Sequence, residues 1–206
     1  MTRTVHLAVY DTLADWEVGH TTAHINSGAW QRDPDRFRIA TVGETLDPVT
    51  TMGGLTLKPD IALADLAPAD SAMLILPGAA TWLSGGNGAF VEAARSFLAA
   101  GVPVAAICGA TGGLAAGGLL DDRPHTSNAR EFLEATGYGG AAHYRDAGAV
   151  RDGDLITASG TAPVDFAHEI FARLDLYEPA TLAAWTKLYG DGDPAGYFEL
   201  MAAASA

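Results

Sequence analysis

The sequence predicts an α/β fold in which a mostly parallel sheet is covered by helices on both faces. Two observations predict it. Short apolar runs recur at residues 5–10, 72–76 and 102–107. Runs of that length without polar alternation mark strands buried on both sides. Longer segments with helical spacing lie between them, and strands alternating with helices specify parallel pairing.

The elements follow in order. Residues 5–10 form the first buried strand, which stops at Asp11. Residues 15–27 have helical spacing and end at Gly28, and residues 37–42 read as a second strand. The segments 49–52 and 55–57 flank Gly53 and Gly54, the signature of a β-hairpin. Residues 72–76 form a third buried strand, ended by Pro77 and Gly78. An amphipathic helix over 88–100 closes at Gly101, and residues 102–107 are the fourth buried strand. After Cys108 comes a small-residue helix, 110–116, closed by Gly117 and Gly118. A short helix over 128–136, strands near 149–150 and 155–157, and a helix over 161–174 follow. Helical segments 179–189 and 194–204 finish the chain. No repeat, linker or charge run marks a boundary. The expectation is one domain over residues 1–206, with a helical C-terminal extension from about residue 177.

Composition bounds the function. The chain is 49% apolar and 18% charged, an ordinary globular balance, with a net charge of −13. So acidic a surface repels phosphate backbones and anionic lipid, which excludes nucleic acid and membrane surfaces as expected partners. No apolar stretch reaches the roughly 18 residues of a membrane span. A single cysteine cannot form an intrachain disulfide, and the N-terminus lacks a signal-peptide pattern. The expected compartment is the reducing cytoplasm, where a free thiol persists.

In parallel sheets, ligands bind beyond the C-terminal ends of the strands. That rule selects the turn after Tyr10, the Pro77–Gly78 loop and Cys108. At Cys108 a buried strand ends and small residues (Gly109, Ala110, Gly112, Gly113) begin a helix at once, the layout of a nucleophile elbow. Free N–H groups and the dipole at the helix start favour thiolate, so a lowered thiol pKa is expected. The alternative is a small buried hydrophobe. The stretch lacks the G-x-G-x-x-G and Walker patterns, which argues against nucleotide binding.

Glu17 follows the first strand and can reach the same rim as an acid or base. Alternatively it stabilises a helix start, a role that Asp15 can fill as N-cap. Ala79 is either a second oxyanion donor beside Gly109 or part of a plain turn. His20 and His24 lie one helical turn apart, but the H-E-x-x-H glutamate is missing and no metal is expected. In the segment 125–128, His125 and Asn128 point to opposite faces if the chain is extended, so at most one faces the thiol. Asn128 with Glu131 fits an N-cap pattern, which leaves His125 as the acid–base candidate and Asn128 otherwise as a pocket residue. Trp16, Trp82 and Tyr144 either line the pocket or belong to the core.

Six segments together resemble the PfpI/DJ-1 superfamily of the class I glutamine amidotransferase-like fold: 14–17, 74–79, 105–111, 118–120, 125–128 and 155–160. The likeness spans roughly residues 4–175, and the bacterial amidase- and protease-like branch is most similar. It implies a flavodoxin-like three-layer sandwich, a homodimer, and no organic cofactor. It also implies Cys108 as nucleophile with Glu17 as its carboxylic acid partner. The implied activity is that of a cysteine-dependent small-molecule enzyme, a hydrolase, hydratase or glyoxalase/deglycase type. An oxidation-sensing stress protein using a Cys108 sulfinate is the alternative. Two departures stand out. Gly109 occupies the place where protease-like members carry histidine, and Asn128 the place where other members carry one.

Overall fold

The structure is a computed structural model describing residues 2–203, apart from the side chain of Leu83. Strands β1 (Arg3–Ala8), β2 (Phe37–Gly43), β5 (Ile61–Ala62), β6 (Ser71–Leu76), β7 (Val104–Ile107), β8 (Ala149–Asp152) and β9 (Leu155–Ala158) form one sheet. Its order is β5-β2-β1-β6-β7-β9-β8. All neighbours run parallel except β8, which pairs antiparallel with β9. The central strands are buried on both faces: every residue of β6 and β7 is buried. That is why they read as unbroken apolar runs. A separate hairpin, β3 (Val49–Thr50) with β4 (Thr56–Leu57), turns through Gly53 and Gly54 as its glycines predict.

Helices α1 (Gly19–Ser27) and α5 (Pro163–Leu174) pack together on one side of the sheet. Helices α2 (Gly88–Ala99) and α3 (Gly109–Ala116) form the other layer. This is the flavodoxin-like sandwich. The chain builds outward from β1 through β2 to β5, then returns to the opposite side of β1 with β6. Strand order therefore reverses at β1 and β6, and the crevice at such a reversal is where α/β sheets hold ligands.

The chain ends in α6 (Pro179–Tyr189) and α7 (Ala195–Ala203). Ala204, the last residue of the expected final helix, lies outside the described residues. Helix α6 packs on α5 through Trp185, whose ring is fully buried and stands edge-on to Phe171 and His24. Among the described residues no helix is long and apolar enough to cross a membrane.

One strand lies outside the expected elements, and one expected helix is corrected. Strand β5 was not legible: two residues after Pro59 carry no periodicity, and their place is set by the pairing of Val42 with Ile61. The helix expected over 15–27 is broken into a 3₁₀ turn, Asp15–Glu17, and α1 from Gly19. Asp15 does not cap it. Its carboxylate takes the Gly53 N–H at 2.6 Å and so ties the hairpin to the first loop. The break also frees Glu17 to turn inward, where it is fully buried.

Candidate active site

Cys108 follows β7 and precedes α3 with φ 57° and ψ −124°. A non-glycine residue in this region carries about 1–3 kcal/mol of strain, which its surroundings must hold in place. They do so from both sides. The Cys108 N–H continues the sheet ladder to the Ala158 carbonyl at 3.0 Å. Its own carbonyl takes the Thr111 N–H at 3.1 Å and the Thr111 hydroxyl at 2.6 Å. Thr111 is held in turn by the Ser127 hydroxyl at 2.6 Å. The thiol is thereby lifted off the strand and aimed over the sheet edge.

Two glycines make room for it. A Cβ on Gly78 would come within 2.8 Å of the Cys108 Cβ and 2.8 Å of the Glu17 Oε1. A Cβ on Gly160 would come within 2.8 Å of the Cys108 sulfur and 3.2 Å of the same Oε1. Loops after β1, β6, β7 and β9 thus converge on one point. Trp16 closes the rim: its indole N–H donates to the Gly160 carbonyl at 3.0 Å, while 52% of the residue is exposed.

Glu17 Oε2 accepts the Gly78 N–H at 2.6 Å. Its Oε1 is buried with no hydrogen-bond partner among the described residues, and Gly160 leaves it on the same side as the Cys108 sulfur. Burial raises the Glu17 pKa above the usual carboxylate range, against the opposing pull of the Gly78 N–H and the thiol. Burial likewise raises the Cys108 pKa, and the nearby Glu17 charge adds to it. The Asn128 and Gly109 N–H groups pull the other way. The lowered thiol pKa expected from the helix start is therefore corrected: desolvation outweighs the helix end. The half-buried thiol and the buried carboxyl thus compete for a proton.

The histidine expectation is also corrected. His125 is fully buried between Tyr138 and Tyr144, away from the sulfur. Its Nδ1 pairs with the Arg123 carbonyl at 2.8 Å and its Nε2 with the Tyr138 hydroxyl at 3.1 Å. Both ring nitrogens are committed to holding the 125–128 segment. Asn128 faces the thiol instead. Its Nδ2 donates to the Cys108 Sγ at 3.3 Å and its Oδ1 accepts the Gly160 N–H at 2.8 Å. It does not cap the following helix, α4 (Arg130–Glu134), whose N-cap is Ala129. The alternation argument thus selects the face opposite to the one expected.

Gly109 and Ala79 are neighbours: a Cβ on Gly109 would lie 3.1 Å from the Ala79 carbonyl. The Gly78 N–H is committed to Glu17 and the Ala80 N–H to the Thr12 hydroxyl. The Ala79 N–H between them has no partner among the described residues. Trp82 and Tyr144 are both core residues, each 8% exposed. The Trp82 indole N–H donates to the Pro77 carbonyl at 2.9 Å and the Tyr10 hydroxyl at 3.1 Å. Tyr10 also bonds the Pro77 carbonyl. This network fixes the Pro77–Gly78 loop, and an isolated tyrosine at a strand end gave no sign of it. His20 and His24 stack beside Trp185 and Tyr189 rather than turning to a ligand. Among the described residues no group of three or more His, Cys, Asp or Glu is placed to hold a metal.

Comparison with known proteins agrees with this fold. The uncharacterized protease YoaZ of Bacillus subtilis is 40% identical over 203 residues, covering 97% of each chain. A second B. subtilis relative, the uncharacterized protease YdeA, is 32% identical over 84% of each chain. Among solved structures, a thiJ/pfpI family protein from Bacillus anthracis superposes with a TM-score of 0.92 at 39% identity. That match covers 98% of this chain and 97% of the other. A DJ-1 superfamily protein from Agrobacterium tumefaciens gives a TM-score of 0.81 at 35% identity, covering 93% of this chain and all of the other. The model of the DJ-1/PfpI family matches residues 3–173, and the chain belongs to that family.

Proposed function

We propose that the protein is a cysteine-dependent enzyme acting on small molecules, with Cys108 as nucleophile and Glu17 as the group that moves its proton. One observation carries this reading: the buried Glu17 carboxyl, whose Oε1 has no hydrogen-bond partner among the described residues, lies beside the strained Cys108 thiol. In the first step Oε1 takes the S–H proton and the sulfur attacks an electrophilic carbon of a carbonyl, amide or nitrile type. The displaced π electrons move to the oxygen or nitrogen, which the Gly109 and Ala79 N–H groups receive. Glu17 then returns its proton to that atom or to the departing group. For a hydrolase, water attacks the thioester and releases the thiol. Apart from that water, every step uses groups of this chain and of the substrate.

The absence of a histidine at the sulfur favours hydrolase, hydratase or glyoxalase-type chemistry over peptide cleavage. A peptide amine leaves only when protonated, and here Glu17 must both take the thiol proton and deliver one to that amine, since Asn128 cannot supply a proton as imidazolium does. That weighs against carrying over the word protease from the relatives' names. Turnover of dicarbonyls, amides and isonitriles by wild type, Cys108→Ser and Glu17→Gln tests the reading. Activity is expected in wild type alone, and equal turnover by Cys108→Ser overturns it.

A second reading is favoured by the donors around the sulfur. A Cys108 sulfinate would accept the Asn128 N–H and a proton held on Glu17. Intact mass after mild peroxide tests it: a gain of two oxygens at Cys108 is expected, and an unchanged mass excludes it. We take the protein as a cytoplasmic homodimer, with exposed Trp16, Met52 and Leu55 as apolar surface near the site. Light scattering at micromolar concentration checks the dimer.

A further inference from the structure

The Pro77–Gly78 peptide is planar and trans, so its carbonyl and its N–H point in opposite directions. The N–H donates to Glu17 Oε2 at 2.6 Å. The carbonyl accepts from two side chains, the Tyr10 hydroxyl and the Trp82 indole N–H, the latter at 2.9 Å. No backbone N–H reaches that carbonyl among the described residues. The rest of the loop is held by other groups. The Ala14 N–H donates to the Gly78 carbonyl at 2.9 Å, and the Ala80 N–H donates to the Thr12 hydroxyl at 2.9 Å. Tyr10 and Trp82 therefore act on one peptide, and that peptide acts on one carboxyl.

The Trp82 N–H also reaches the Tyr10 oxygen at 3.1 Å, which occupies the acceptor side of the phenol and leaves its O–H for Pro77. Burial holds the Tyr10 pKa well above the usual phenol value, so the O–H stays a donor while carboxyl and thiol titrate. One donor satisfies a buried carbonyl. Two of them draw electron density from the amide nitrogen toward the oxygen and make the N–H a stronger donor. A carboxylate gains more from such a donor than a neutral carboxyl does. Oε2 is the held oxygen and Oε1 lies on the side of the sulfur; the two share one charge, so the effect reaches the thiol. The titratable groups around Glu17 are Cys108 after β7 and Tyr10 after β1. Asp15, on the same turn as Glu17, is committed to the Gly53 N–H.

We propose that Tyr10 is a positioning residue of the Cys108 centre: through the Pro77–Gly78 peptide it tightens the hold of the Gly78 N–H on the Glu17 carboxylate, and so sets how readily Glu17 takes the thiol proton. The proposal rests on the reading of Glu17 as the group that moves that proton. Without the phenol O–H, the carboxylate is held less well and Glu17 keeps its proton to higher pH.

The pH profile of Cys108 alkylation by iodoacetamide, followed by intact mass, tests this. In wild type the rate is expected to climb with pH and to level once Glu17 ionises, because its charge then holds the thiol proton. A second climb follows in alkali as the last proton leaves the pair. Glu17→Gln is expected to abolish the lower step. Tyr10→Phe keeps the ring and removes only the hydroxyl. It is expected to move the lower step upward by about half a pH unit, a threefold change in the hold of Glu17 on its proton. In the Glu17→Gln background the same substitution is expected to leave the profile unchanged, whereas loosened packing acts in both backgrounds. Trp82→Phe removes the other donor and is expected to shift the step in the same direction; it serves as the test should Tyr10→Phe fail to fold. A lower step left in place by the folded variant overturns the role of Tyr10 and leaves the reading of Glu17 standing. A shift that persists in the Glu17→Gln background overturns the route through the carboxyl. A profile that Glu17→Gln alone leaves unchanged overturns the reading of Glu17, and the proposal with it.

Discussion

The side-chain amide of Asn128 donates to the Cys108 sulfur across 3.3 Å, while its carbonyl holds the Gly160 N–H at 2.8 Å. One residue therefore both contacts the thiol and fixes the glycine that makes room for it. Asn128→Ala removes an N–H that favours thiolate, so the thiol pKa rises further. Alkylation of Cys108 at neutral pH is expected to slow roughly tenfold, the worth of one hydrogen bond to a charged group. An unchanged rate would show that the contact has no part in thiol reactivity.

His125 gives the opposite outcome. It holds Arg123 and Tyr138 and stays away from the sulfur. His125→Ala is expected to cost about 2–4 kcal/mol in denaturant unfolding, from the cavity and the lost bonds. The pH profile of Cys108 alkylation in the folded variant stays that of wild type. A shifted profile would return the histidine to the active site.

Glu17→Gln separates function from stability. Folding raises the Glu17 pKa. The native state therefore binds its proton more tightly, and stability is lost as pH rises through the folded value. A neutral amide escapes that penalty. The variant is expected to be about 1–2 kcal/mol more stable than wild type at pH 8, with the difference vanishing in acid. Its thiol pKa is expected to fall, because the carboxylate that raises it is gone. Thermal melts and alkylation profiles read both, and a less stable variant at pH 8 would contradict the buried-charge argument.

Gly160→Ala places a Cβ 2.8 Å from the sulfur. Overpacking of this kind costs about 1–3 kcal/mol. The Cys108 side chain must leave its present rotamer, so alkylation is expected to drop more than tenfold. Thiol titration under native and denaturing conditions checks that the loss lies in the folded state.

His24 makes the C-terminal extension sensitive to acid. Its Nε2 accepts the Trp185 indole N–H at 3.1 Å, which only the unprotonated nitrogen can do. Burial, with His20 adjacent, lowers its pKa from 6.5 to about 4. Its folded value is depressed, so the stability it supports is complete above 6.5 and declines as pH falls toward 4. The loss is worth up to about 3 kcal/mol, and about half that after solvent screening at this partly open site. His24→Gln is expected to flatten the dependence of the melting temperature on pH between 4 and 7. An unchanged slope would remove His24 as its source.

The sequence by itself determined the order of the elements, the buried central strands and the elbow at Cys108. These depend on local periodicity and on small residues forced by a tight turn, and both are written in neighbouring positions. It also brought Glu17 forward as a candidate, through its place past the first strand and through the resemblance carried by residues 14–17. Only the tertiary structure decided which way Glu17 turns, since that depends on the break at Val18 and on the Gly78 N–H from another loop. Only it placed Asn128 at the sulfur in place of His125, because that choice is made by Tyr138, Arg123 and Gly160, far apart in the chain. It also reversed the direction of the thiol pKa. The helix start is local and legible, but desolvation is the sum of every segment packed around the sulfur.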